Sequence, residues 1–109
     1  MKLEGFGLRI QECRSFLSKL HGFMFSFSRK KAKIFIFTSE KRVGIHMLFV
    51  FMPLIVIWLD DRKRITDFKI MIPFISRHRA NARYVIEIPC NSYNNQIFRK
   101  LKKGMKIEF

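Results

Sequence analysis

Residues 43–59, VGIHMLFVFMPLIVIWL, constrain the fold of this chain more than any other stretch. Lys41-Arg42 precede the run and Asp60-Asp61 follow it, and only Gly44, His46 and Pro53 interrupt it. As a single helix it would hold Pro53 in its interior, which removes a backbone hydrogen bond and costs about 3 kcal/mol. The run is also short of the roughly 20 apolar residues that a membrane-spanning helix needs. Its Val, Ile and Phe content suits strands, where branched and aromatic side chains pack on a pleated surface. Splitting at Pro53 predicts two paired central strands of a small β domain, near 45–52 and 54–59. Asp60-Asp61-Arg62-Lys63-Arg64 is then a charged hairpin loop returning into a strand at 64–70. In that strand Thr66, Phe68 and Ile70 share one face, with Asp67 and Lys69 on the other.

The remaining segments are shorter. Residues 2–9 alternate weakly around Gly5 and Gly7 and read as a loosened edge strand. Cys13, Phe16, Leu17 and Leu20 form the stripe of a short helix over 11–21, with Gly22 as its terminator. Residues 23–28 and 33–38 alternate as strands, 39–42 form a polar connection, and 71–81 look irregular around Pro73. Tyr84, Ile86 and Ile88 against Val85 and Glu87 give the clearest strand, 82–89. A helical turn is expected within 97–103 and a final strand at 105–109. Short strands joined by short loops predict a mainly β fold: a compact antiparallel β-barrel or sandwich of about 7–8 short strands with one or two short helices. A parallel sheet is not expected, because no βαβ rhythm is present.

Composition bounds the function. The 109 residues fit one domain, 1–109. Apolar residues make up 49% of the chain, which excludes a disordered polyelectrolyte. Against 8 Asp+Glu stand 22 Lys+Arg, and the net charge of +14 attracts polyanions. Cys13 and Cys90 lie in no CxxC or Cys/His motif, so reduced thiols are the default. MKLEGFGLRIQEC has no apolar core of a signal peptide, so a cytoplasmic location and no transmembrane segment are expected.

GFMF at 22–25, IHMLFVFMPLIVIWLDDRKRI at 45–65, ANARYVIEIP at 80–89 and GMKIEF at 104–109 occur in an order and spacing that resembles the DUF192 (UPF0127) family. The resemblance covers roughly residues 12–109 and is closest to the short, single-domain archaeal form. It implies a small, mainly β, barrel-like or sandwich-like domain and no chemistry, since the family's biochemical function is uncharacterised. Gly22 and Met24 match the family's GLM segment, with Phe23 where Leu is usual. Met47 matches a methionine that follows a tryptophan in many members, and His46 occupies that tryptophan position. Where the family usually reads Pro-Leu/Ile-Asp, this chain has Pro53-Leu54-Ile55, so Ile55 replaces the aspartate. Asn91 stands where the family has a glycine.

Three functions compete. The first is a non-enzymatic domain that binds a polyanion such as nucleic acid through basic loops. Its candidate residues are Arg29, Lys30, Lys31, Arg62, Lys63, Arg64, Arg77, Arg79, Lys100, Lys102 and Lys103. An anionic membrane surface would serve the same charges. The second is a small-ligand or enzymatic domain with a pocket near Met24, His46 and Met47. The third is a protein-interaction or structural module using an edge strand such as 33–38 or 105–109. No catalytic residue, cofactor or metal site is assigned. His21, His46 and His78 are scattered, Asp60-Asp61 fit a charged hairpin tip, and Asp67 and Glu87 fit cross-strand pairs with bases. Cys90 after a strand end would favour a thiolate if cations surrounded it. The sequence alone leaves any ligand and the oligomeric state open.

Overall fold

The stretch 54–59 becomes a strand whose every side chain is buried. Alternation sends Ile55, Ile57 and Leu59 to one face and Leu54, Val56 and Trp58 to the other, and a separate apolar core collects on each. The computed structural model describes residues 2–3, 8–13, 32–46, 52–91 and 94–109. They form β1 (Lys2–Leu3), β2 (Leu8–Cys13), β3 (Ala32–His46), β4 (Leu54–Leu59), β5 (Ile65–Met71), β6 (Arg77–Pro89) and the short helix α1 (Asn95–Phe98).

The strands make one six-stranded sheet in the order β1-β2-β3-β6-β4-β5. Its ends do not meet, so the sheet is open and the expected closed barrel or two-sheet sandwich is overturned. The physical reason lies in β3 and β6, which are 15 and 13 residues long rather than short. Their pairing jumps from Ile36↔Tyr84 to Lys41↔Ala82, leaving residues 37–40 bulged opposite Arg83. A bulge bends and twists its strand. Beyond it, the 41–46/77–82 ribbon packs across the β4–β5 face, placing Val43, Ala80 and Ala82 in the cluster that holds Trp58. One sheet thus supplies both walls of this core. The other face is covered by Ile97, Leu101 and Ile107 from α1 and the C-terminal segment.

Several boundaries differ from the sequence reading. Residues 11–13 belong to β2, which pairs parallel with β3, so the sheet is not purely antiparallel. The rest of the expected helix at 14–21, the strand at 23–28 and residues 47–51 lie outside the described residues. The expected connection at 39–42 continues within β3, and 77–81 belong to β6. β3 and β4 are not neighbours, because β6 pairs with both and lies between them. At the C-terminus Lys106 makes only an isolated bridge to Arg64 instead of starting a strand.

The hairpin between β4 and β5 forms as predicted, and Asp60 organises it. Its carboxylate accepts the backbone N–H groups of Arg62 and Arg64 at 2.8 and 3.0 Å. Its own carbonyl accepts the N–H of Lys63, whose φ of 62° lies in the left-handed region. Ile55 has no exposed surface and faces Ile70 and Ile88 across its two neighbouring strands. Restoring a carboxylate there, as Ile55→Asp, would put it among isoleucines. It is expected to lower the unfolding free energy by roughly 3 kcal/mol or more in a urea titration, through desolvation of the acid. An unchanged midpoint would show a polar partner within reach of position 55.

Candidate functional site

Polar chemistry gathers where the bent ribbon meets the β4–β5 hairpin. Trp58 and Asp67 are register partners on β4 and β5, and both side chains emerge on the face that the ribbon crosses. The buried Trp58 indole donates its Nε1–H to the Val43 carbonyl at 3.1 Å, pinning β3 to β4 across the core. Its ring meets that of His78 edge-on, with centroids 5.1 Å apart. His78 Nε2 in turn lies 2.6 Å from Asp67 Oδ2. The other Asp67 oxygen accepts the Phe68 N–H at 2.9 Å and lies 3.9 Å from Lys103 Nζ.

Thr66 is the bulged residue of β5, between the pairs Trp58↔Asp67 and Leu59↔Ile65. Its hydroxyl lies 3.2 Å from the Trp58 carbonyl and 2.5 Å from that of Asn81, so it ties hairpin to ribbon. Around these groups runs an open groove of about 420 Å³, lined by Glu40, Arg42, Asp60, Thr66, Asp67, His78, Arg79 and Asn81. A second hollow of about 450 Å³ lies along Gly44, Ile45 and Arg77 to Arg79.

The acids of the groove are already engaged. Asp60 caps the hairpin, Glu40 accepts the Asp61 N–H at 3.0 Å, and Asp67 holds His78. Partial burial pushes the Asp67 carboxyl up. The hydrogen bonds from His78 and Phe68, with the charges of Lys103 and His78, outweigh that and leave it below the usual 3.8. Arg42, Arg77 and Arg79 are exposed and, among the described residues, make no ion pair with a carboxylate. In the ribbon Gly44 lies opposite Arg79, and His46 opposite Arg77. A Cβ on Gly44 would come within 3.2 Å of the Arg79 side chain, so glycine lets the arginine lie across the strand.

The sequence-derived candidates divide as follows. Arg77 and Arg79 come together on the ribbon with Arg42, from the basic pair Lys41-Arg42. Lys103 reaches toward Asp67, while Arg62, Lys100 and Lys102 are exposed elsewhere on the hairpin and C-terminal segment. Lys63 and Arg64 instead bind the C-terminal segment. Lys63 Nζ donates to the Phe109 carbonyl and sits 4.2 Å from that ring, and Arg64 donates to the Gly104 carbonyl. Arg29, Lys30, Lys31, Met24 and Met47 lie outside the described residues, as does the His46 side chain. The pocket expected near Met24, His46 and Met47 therefore has no described counterpart. Cys90 is a free thiol whose pKa burial pushes up, so the condition for a thiolate is not met there. Among the described residues no cluster of three or more His, Cys, Asp or Glu side chains has the arrangement of a metal site. No helix among them is long and apolar enough to cross a membrane.

The DUF192 family model, described as "Uncharacterized ACR", matches residues 3–109. The chain belongs to the DUF192 family. The UPF0127 protein of Thermococcus gammatolerans is 37% identical over 78 residues, covering 69% of this chain and 51% of that protein. The UPF0127 protein PH1112 of Pyrococcus horikoshii is 36% identical over 98 residues, covering 87% of this chain and 76% of that one. This DUF192 chain thus spans about half the length of the several Thermococcus relatives it matches. Two solved structures share its fold. One, from Sinorhizobium meliloti 1021, is described as a proposed transcription regulator; it has a TM-score of 0.77 at 15% identity over 93% of this chain and 81% of that one. The other, from Novosphingobium aromaticivorans, is of unknown function, with a TM-score of 0.78 at 19% identity over 94% and 75%.

The sequence reading treated Asp67 and His78 separately and passed over Trp58. The available signal was the chain's single tryptophan, in a run where its N–H needs a buried acceptor. Glu87 is a further buried acid, opposite Lys33 on β3 and Val56 on β4. Desolvation raises its pKa from 4.5 to about 7, against the opposing charge of Lys33. The folded state therefore holds this proton more tightly than the unfolded chain. Stability is expected to fall as pH rises from 4.5 to about 7 and to stay lower above, by roughly 3 kcal/mol. Glu87→Gln should remove that fall, read from urea midpoints at pH values on both sides of the window. Asp67 has the opposite sign. Its depressed pKa stabilises the fold above the usual 3.8 and loses that effect on further acidification. Asp67→Asn should flatten the acid limb, and an unchanged limb would show that the pairing with His78 adds nothing.

Proposed function

We propose that this DUF192 chain is a non-enzymatic binding domain for a polyanion such as nucleic acid, held by the bent ribbon of β3 and β6. One observation carries the reading. At the groove the carboxylates are committed to hydrogen bonds within the fold, while Arg42, Arg77 and Arg79 stand exposed without an acidic partner among the described residues. Guanidinium groups in that state are suited to paired hydrogen bonds with phosphate oxygens. The net charge of +14 supplies the longer-range attraction. A protein of the same fold from Sinorhizobium meliloti is described as a proposed transcription regulator, which accords with a nucleic-acid partner. Arg62, Lys100, Lys102 and Lys103, together with Arg29, Lys30 and Lys31, extend the basic surface in this reading.

Binding of single-stranded RNA and of heparin at two salt concentrations tests it. Affinity is expected to fall steeply with salt, as released counterions dictate. Arg77→Glu/Arg79→Glu should weaken RNA binding and reduce the slope of log affinity against log salt by about 1.4, at roughly 0.7 per phosphate contact on a single strand. No binding at low salt, or equal binding by the charge-reversed variant, would remove the proposal.

A further inference from the structure

The turn between β5 and β6 has the wrong composition for an exposed turn. Residues 72–76 read Ile-Pro-Phe-Ile-Ser, where polar and glycine residues are usual. Ile72, Phe74 and Ile75 are 54, 53 and 79% exposed, and Ile70 beside them on β5 is 38% exposed. The turn is closed on itself. The Ser76 N–H donates to the Ile72 carbonyl at 3.2 Å, and the Ile72 N–H donates to the Ser76 hydroxyl oxygen at 2.9 Å. This uses up the turn's polar side chain and leaves its apolar ones outward. Phe74 adopts a φ of 66°, a left-handed conformation in which a bulky residue is an outlier. Such strain is kept where the geometry is fixed for a purpose. Exposed Lys69 precedes the turn, and exposed Arg77 and Arg79 follow it.

We propose that this turn is a membrane-docking tip, which inserts Ile72 and Ile75 into the interface of an anionic lipid bilayer while Lys69, Arg77 and Arg79 bind the headgroups. Three features select a bilayer over other occupants. Aliphatic side chains offer a phosphodiester backbone nothing, so nucleic acid would leave them in water. An exposed apolar connection between the ends of β5 and β6 suits a medium that yields around it. The charges also flank the tip: exposed Lys69 precedes it and exposed Arg77 and Arg79 follow it, so headgroups would meet cations while the apolar side chains enter. Cationic residues there are attracted by the negative surface potential of anionic leaflets. The inference does not depend on the polyanion reading, since the arginines are common to both and the apolar tip belongs to this one alone.

The test uses the intact chain with vesicles of phosphatidylcholine alone and of phosphatidylcholine mixed with phosphatidylserine. Co-sedimentation is expected with the mixed vesicles. Ile72→Ser/Ile75→Ser should weaken it about tenfold or more, while leaving the thermal midpoint and heparin binding unchanged. Ile75→Trp should show a blue-shifted emission on adding mixed vesicles, a report of insertion that charge alone would not give. Three results would overturn the proposal: no sedimentation with mixed vesicles, equal sedimentation of the serine variant with no emission shift, or a serine substitution that alters the oligomeric mass in solution instead of vesicle binding. Unchanged heparin binding in Arg77→Glu/Arg79→Glu, with its sedimentation on mixed vesicles weakened and the Ile75→Trp emission shift present in the otherwise unaltered chain, would fault the polyanion reading and leave the tip in place.

Discussion

Burial of β4 on both faces is the constraint on which the rest of the structure depends. A strand with apolar residues at every position cannot lie at an edge or face water on one side. It requires neighbours on both flanks and cover above and below. The neighbours are β5 and β6. The cover is α1 with the C-terminal segment on one side and, on the other, the far half of the same sheet. The second arrangement needs a sharp bend, and the bulge at residues 37–40 supplies it. Two cores are therefore built from one open sheet.

The polar groove is a product of that bend. Folding the ribbon over β4 brings His78 above Trp58 and beside Asp67, and sets Asn81 against the bulged Thr66. The Trp58 hydrogen bond to Val43 adds a further tie between ribbon and hairpin. The ribbon's inward positions serve the core and its outward positions carry arginine. A structural requirement thus produces, on its reverse side, a row of cations that make no ion pair with an acid among the described residues.

Sequence patterning was most informative where the chemistry is local. The strand at 54–59, the hairpin at 60–64 and the opposed faces of Asp67 and Phe68 follow from alternation and turn chemistry. Ile55 was readable as a departure from the family, and its place between Ile70 and Ile88 shows why an apolar residue is compatible there. Non-local geometry was not legible. A bulge has no signature in 37–40 that distinguishes it from a polar loop, so one long strand read as two short ones. The insertion of β6 between β3 and β4 is a matter of topology that no periodicity encodes. The meeting of His78 with Asp67 followed from both, and so did the missed site.

The strand order also dictates when the fold can exist. β6 pairs with β3 and β4 and joins the halves of the sheet, yet it is the last strand in the chain. Until residues near 77–89 are available, β3 has only β2 beside it in this sheet, and β4 lacks its inner neighbour. Contacts this distant in sequence incur the entropy of closing a long loop before they contribute, which slows folding. During synthesis the most apolar strand must therefore leave the ribosome before its inner partner does. Its exposure in that interval makes it the segment most in need of protection from aggregation.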